Sequence, residues 1–135
     1  MPRERCEHVA ILLRRYLEAI LRGEKTIEAR LARTRQAPFN RVRTGDRLWL
    51  KESSGPFRAS AIVERVVFHD DLTPARLRMI RARHGSAIGG APEFWIQKRA
   101  ARCATLLWLA DVREVSEGPR YRHIPGGRAW YVLAA

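Results

Sequence analysis

The chain has 135 residues, 46% of them apolar, which is enough to bury one core without disulfide or metal staples. No run approaches the roughly 18 apolar residues of a membrane-spanning helix, and Val9-Ala10-Ile11-Leu12-Leu13 stops at Arg14-Arg15 without the pattern of a signal peptide. Twenty-six basic residues against fourteen acidic ones leave a charge of +12, an excess that asks for a polyanionic partner. The expectation is one soluble, cytoplasmic domain over residues 1–135 with no membrane partner. Oligomeric state is not legible.

In chain order, Val9 to Leu13 reads as a buried strand. Arg14 to Leu21 follows as a helix, with Tyr16, Leu17, Ile20 and Leu21 at helical spacing and Gly23 in the left-handed position past its end. Thr26 to Leu31 alternates as a strand. Ala32 to Val42 is a loop broken by Pro38, and Thr44-Gly45-Asp46 turns into the strand Arg47 to Glu52. After the Ser53-Ser54-Gly55-Pro56 turn, a long strand runs from Phe57 to Phe68. His69-Asp70-Asp71 closes it, and adjacent carboxylates there mark a solvated turn rather than a metal site.

Thr73 and Pro74 supply an N-cap and first helical residue, with Leu72 and Leu77 as a hydrophobic staple. This helix carries Arg76, Arg78, Arg81 and Arg83 and is expected to end near Gly85, followed by a flexible connection from Ala87 to Gly90. Pro92 opens a second short helix through Phe94, Trp95, Ile96, Lys98 and Arg99. Cys103 to Val115 is the strongest strand, Glu117 to Gly127 a loop, and Arg128 to Leu133 a last strand. Five or six strands with two or three short helices predict an α+β fold, a small closed or half-closed sheet with helices over its ends. Cys6 and Cys103 are isolated thiols, and Cys103 belongs to the core; Cys6 near His8 suggests a metal only weakly.

The charged segment Gly23-Glu24-Lys25-Thr26-Ile27-Glu28-Ala29-Arg30 is the densest chemistry in the chain. Strand alternation sends Thr26, Glu28 and Arg30 to one face and Ile27, Ala29 and Leu31 to the other. A carboxylate between two cations can orient them toward phosphate or act as a base. Alternating Glu and Arg on a solvated strand face is the plainer reading of the same residues, and both stand at this point.

Gly23, Lys25, Glu28 and Arg30 match the pattern G-x-K-x-x-E-x-R, and the order of elements around it resembles the ASCH domain family of the PUA-like superfamily over nearly the whole chain. The resemblance implies a small PUA-like β-barrel of five to six strands with two to three covering helices. It further implies RNA binding, with Lys25, Glu28 and Arg30 lining a cleft between the barrel and its first helix. Some relatives are amidohydrolases on acylated cytidine nucleosides and use a Thr three residues after the motif Lys; here that position is Glu28, so the nucleophile is absent and Thr26 does not replace it. Others are metal-dependent ribonucleases.

Beside the motif, Trp49, Trp95 and Tyr121 are candidates for stacking on bases. Trp108 reads as core, and Trp95 fits either role. Arg33, Arg35, Arg41 and Arg43 form either a cleft rim that holds phosphate or a solvated loop. The leading expectation is an RNA-binding module that takes single-stranded RNA or a nucleotide. The alternative is a metal-dependent ribonuclease or a hydrolase of RNA or a modified nucleoside, with Lys25, Glu28 and Arg30 catalytic; a small-molecule nucleotide binder is a third reading. No cofactor is expected, a divalent metal entering only with the ribonuclease reading, and no metal ligands are assigned.

Overall fold

The computed structural model describes residues 5–126 and 128–133. The elements are β1 (Glu7–Leu12), α1 (Arg14–Leu21), β2 (Ile27–Ala32), β3 (Arg47–Glu52), β4 (Phe57–His69), α2 (Pro74–Ile88), α3 (Pro92–Gln97), β5 (Cys103–Glu114) and β6 (Trp130–Val132). The six strands form one sheet in the order β2-β5-β4-β3-β1-β6. Only β1 and β3 run parallel. Register shifts in β4 at Ser60/Ile62 and Val63/Arg65 bend its pairing with β5, because an extra residue in one strand adds local twist. The sheet curls into a half-barrel with three helices around it, an α+β fold consistent with a PUA-like barrel. No helix among the described residues is long and apolar enough to cross a membrane.

Two cores hold this shape. Inside the curl, Leu17 and Ile20 of α1 pack on Leu48, Leu50, Val63 and Leu107. Outside it, Leu77, Ile80 and Ile88 of α2 and Trp95 of α3 pack on Ile27, Ala29, Leu31 and Leu106. The β2–β5 pair belongs to both. Glu28 lies opposite Leu107 and Arg30 opposite Thr105, while Ala29 lies opposite Leu106 and Leu31 opposite Ala104. Paired residues share a face, so the even-numbered residues of β2 turn into the curl and the odd-numbered ones meet the helices.

Several boundaries differ from the sequence expectation. The first strand begins at Glu7, and Leu13 is exposed. The last spans only Trp130–Val132. Helix α2 runs through Gly85 to Ile88, with Gly89 left-handed at φ +71° as its C-terminal cap. A mid-helix glycine costs about 1 kcal/mol, but the final turn is anchored from outside. Thr26 N–H donates to Ala87 O at 2.9 Å and Lys25 Nζ to Ile88 O at 2.5 Å. The stretch expected to be a flexible connection is therefore pinned. At the other end the Thr73 hydroxyl accepts from Arg76 N–H as expected, and Leu72 and Leu77 are both buried.

A second polar group is sealed into the fold beside β6. His8, on β1, and Asp46, in the turn before β3, are buried and joined at 2.9 Å between Nε2 and Oδ2. Trp130 Nε1–H donates to His8 Nδ1 at 3.1 Å. An indole N–H only donates, so Nδ1 carries the lone pair and Nε2 the proton. Asp46 also accepts the backbone N–H groups of Cys6 and Arg43. With both ring nitrogens of His8 engaged, the Cys6–His8 metal suggestion gains no support. Replacing Trp130 by Phe keeps an aromatic ring but loses the pyrrole portion and its N–H, strands the Nδ1 acceptor, and should lower stability by at least about 1–3 kcal/mol in urea denaturation.

Candidate functional site

Lys25 is 4% exposed and Glu28 is 5% exposed. Lys25 Nζ lies 3.1 Å from Glu28 Oε1, 2.9 Å from Ile27 O and 2.5 Å from Ile88 O. An ammonium has three protons, and these three acceptors take them all. Ile88 closes α2, so the charge of Lys25 also meets the negative end of that helix. The Lys25 ammonium sits 5.6 Å from the centre of the Tyr16 ring.

Arg30 holds the other side of the carboxylate. Its Nη2 and Nε lie 2.9 and 3.2 Å from Glu28 Oε2. Nη2 also donates to Ile11 O at 2.9 Å and Nη1 to Ala129 O at 3.2 Å. The guanidinium thus reaches from β2, one end of the sheet order, to the backbone of β1 and the segment entering β6. Its Cζ lies 5.2 Å from the Trp130 ring centre, in the range of a cation–π contact. Glu28 Oε1 receives the Ala29 N–H as well. Burial alone would push the Glu28 carboxyl up, but Lys25 and Arg30 beside it, through charge and hydrogen bonds, outweigh that and hold it below its ordinary value. At neutral pH it is an ionised strut.

The network forms part of the wall of a cleft of about 670 Å³, within the range of small-ligand sites. The cleft is bounded by β2 and β5, the loop after β2, the segment around Gly90, α3 and the stretch before β6. Of the residues singled out from sequence, Lys25, Glu28, Arg30 and Arg41 line it. The others lie elsewhere. Thr26 precedes β2 and is exposed, because the strand begins one residue later than expected. Arg33 and Arg43 are exposed off the cleft, and Arg35 pairs with Asp70. Trp49 gives its Nε1–H to Glu7 at 2.6 Å. Trp95 is 5% exposed in the outer core, which settles its two readings in favour of core. Tyr121 packs against Phe57 and Tyr131.

The structure brings in residues that the sequence reading missed. Tyr16 and Phe94, both half-buried with ring centres 6.5 Å apart, stand at the cleft, where Phe39 and Trp130 are also present. A Cβ on Gly90 would come within 2.7 Å of Phe94 and 3.1 Å of Trp95 Nε1, so the bare backbone there admits α3 and its aromatic pair. Lys98 and Arg128 join Arg41 as cations on the lining, and none of the three pairs with a carboxylate among the described residues. Thr105, 1% exposed, also lines the cleft. The Thr105 signal was its place beside Arg30, visible only once β2 and β5 are paired. Cys103 lies two residues earlier on the same face; burial, then Asp70, pushes its thiol up, so it stays protonated. No cluster of three or more His, Cys, Asp or Glu side chains gathers among the described residues.

No protein-family model matches the sequence, and no curated protein is recognisably similar to it. Solved structures are similar in fold. A crystal structure of ASCH from Zymomonas mobilis matches at a TM-score of 0.65 and 22% identity over 82% of this chain and 71% of that one. A serine-to-alanine variant of the Zymomonas mobilis protein matches at 0.69 and 20% identity over 95% and 88%. A tyrosine-to-phenylalanine variant matches at 0.61 and 22% over 82% and 75%.

Lys25→Met would leave Glu28 short of a partner and uncap Ile88, and should cost about 3–5 kcal/mol of stability in urea unfolding. The pH dependence has a defined sign. Because the folded Glu28 carboxyl titrates below its ordinary 4.5, the network contributes fully above about pH 4.5 and loses that contribution as pH falls through the lower folded value. Unfolding free energies measured between about pH 6 and about pH 3 should show this acid limb, and Glu28→Gln should flatten it.

Proposed function

We infer that this chain, built on the ASCH-domain fold, binds RNA by seating one nucleotide of a single strand in the cleft. The observation that carries the reading is a division within the site. The buried Lys25–Glu28–Arg30 network meets its hydrogen-bonding needs internally, while Arg41, Lys98 and Arg128 line the same cleft with no carboxylate partner among the described residues. Phosphates fit those rim cations, and a base fits the faces of Tyr16 and Phe94, since single-stranded RNA is held by stacking and backbone charge together. The +12 charge of the chain is in keeping with this.

The arrangement gives a hydrolytic role less to work with. Glu28 is ionised by its neighbours and has both oxygens occupied, so it is a poor proton acceptor. Lys25 has no proton left to offer a substrate oxygen. The motif is read here as the frame of the cleft, and the rim as its contact surface.

Titration of labelled RNA oligomers and of mononucleotides, with and without Mg²⁺, Mn²⁺ or Zn²⁺, tests the proposal. Contact with about four phosphates gives a slope of log affinity on log salt near −3. Arg41→Gln with Lys98→Gln should reduce that slope by about 1.4, and Phe94→Ala should weaken binding by about 1–3 kcal/mol. A flat salt response with mononucleotides binding as well as oligomers would assign the cleft to a small molecule. Metal-dependent turnover of RNA or of an acylated nucleoside would assign it to a hydrolase.

A further inference from the structure

Helix α2 carries four arginines, one histidine and no acidic residue. Over its 15 residues it is about 22 Å long. Leu77, Ile80 and Ile88 mark the face it buries. At about 100° per residue, the opposite side is a crest of Ala75, Met79, Ala82 and Ser86, all exposed. Arg76 and Arg83 flank this crest on one side and Arg78 on the other, while Arg81 lies lower, toward the buried face. All four arginines are exposed.

Some arginines elsewhere on the surface meet carboxylates, as in Arg14–Glu18, Arg58–Glu52 and Arg113–Asp111, while others, Arg41 and Arg128 among them, meet none among the described residues. On α2 no arginine pairs with a carboxylate among the described residues. Arg81 lies over the Trp95 ring at 5.6 Å, and on the neighbouring strand Arg65 lies over Trp108 at 4.6 Å, with His84 edge-on to the same indole. These contacts hold cations in place without neutralising them. The local field is felt by His69, which burial, then Arg76 and His84, push below its ordinary value.

We propose that α2 is a second nucleic-acid contact, which lays its crest of small residues in a groove of a duplex while Arg76 and Arg83 on one side and Arg78 on the other reach the flanking phosphates. A helix about 10–12 Å across matches a groove about 12 Å wide, and the wide, shallow groove of an RNA duplex also admits it. Small crest residues permit close approach, and arginine suits phosphate through its planar fork. A membrane surface fits less well, because Met79 is the one large apolar side chain on the crest and surface-bound helices bury a broad apolar face. The site is distinct from the cleft.

The test compares wild type with Arg76→Gln/Arg78→Gln/Arg83→Gln, three exposed positions, on labelled RNA and DNA duplexes of about 16 base pairs. Single strands of the same length and vesicles of anionic phospholipid are run in parallel. Loss of three phosphate contacts should reduce the duplex salt slope by about 2.7 and weaken duplex binding at least tenfold at low salt, with an unchanged thermal midpoint. The corresponding triple Arg→Lys variant should keep the slope. Mononucleotide binding in the cleft should be the same in all three proteins, so failure here and failure of the cleft reading are separable. An unchanged duplex slope and affinity in the Gln variant would overturn the proposal. So would wild-type preference for single strands or for anionic vesicles over duplexes.

Discussion

The structure depends on how one buried carboxylate is satisfied. Glu28 sits on the inward face of β2, where an unpaired charge would cost several kcal/mol, and the sequence supplies a cation on each side of it. Neither cation stops at Glu28. Lys25 carries the tie outward to the last carbonyl of α2. Arg30 carries it across the open side of the curl to the carbonyls of Ile11 and Ala129. A six-stranded sheet that does not close by strand pairing is thus joined across its gap by one guanidinium. The His8–Asp46–Trp130 group backs this arrangement, since Trp130 supplies the ring beneath Arg30 and its own nitrogen is fixed by His8.

This arrangement separates two duties often assigned to one set of residues. The motif cations shape the cleft and are shielded inside it, whereas Arg41, Lys98 and Arg128 on its lining come from unrelated segments: the loop after β2, the end of α3 and the stretch before β6. Such segments tolerate change in sequence and length more readily than a buried network. A shared motif therefore says more about the frame than about what the frame holds.

Most of the fold was legible because its signals are local. Strand alternation, the Thr73-Pro74 cap and the left-handed glycine after α1 each act within a few residues, and each appears in the structure. What was not legible is nonlocal. Gly85 reads as a helix end until Lys25 and Thr26 are seen to hold the next turn. Trp95 and Phe94 are neighbours with opposite fates, one in the outer core and one on the cleft, and nothing in the pair itself decides which. Trp49 and Tyr121 suggested stacking by residue type alone, but each has its own protein partners away from the cleft. The core of the site was written in the motif; its aromatic lining was written in the packing of α1 and α3.

The placement of β1 between β3 and β6 has a consequence for how the molecule is made. The earliest described strand has as its neighbours a parallel strand some 40 positions later and an antiparallel one more than 120 positions later, His8 facing both Leu48 and Val132. Contacts so distant in sequence form late and slow the search for the native state. During synthesis, the β1 edge that β6 will cover stays open until β6 emerges, and an unpaired edge is a place where chains join wrongly. Only then does Trp130 arrive beside His8 and beneath Arg30. The aromatic ring that lies against the bridging guanidinium thus comes from the last of the six strands.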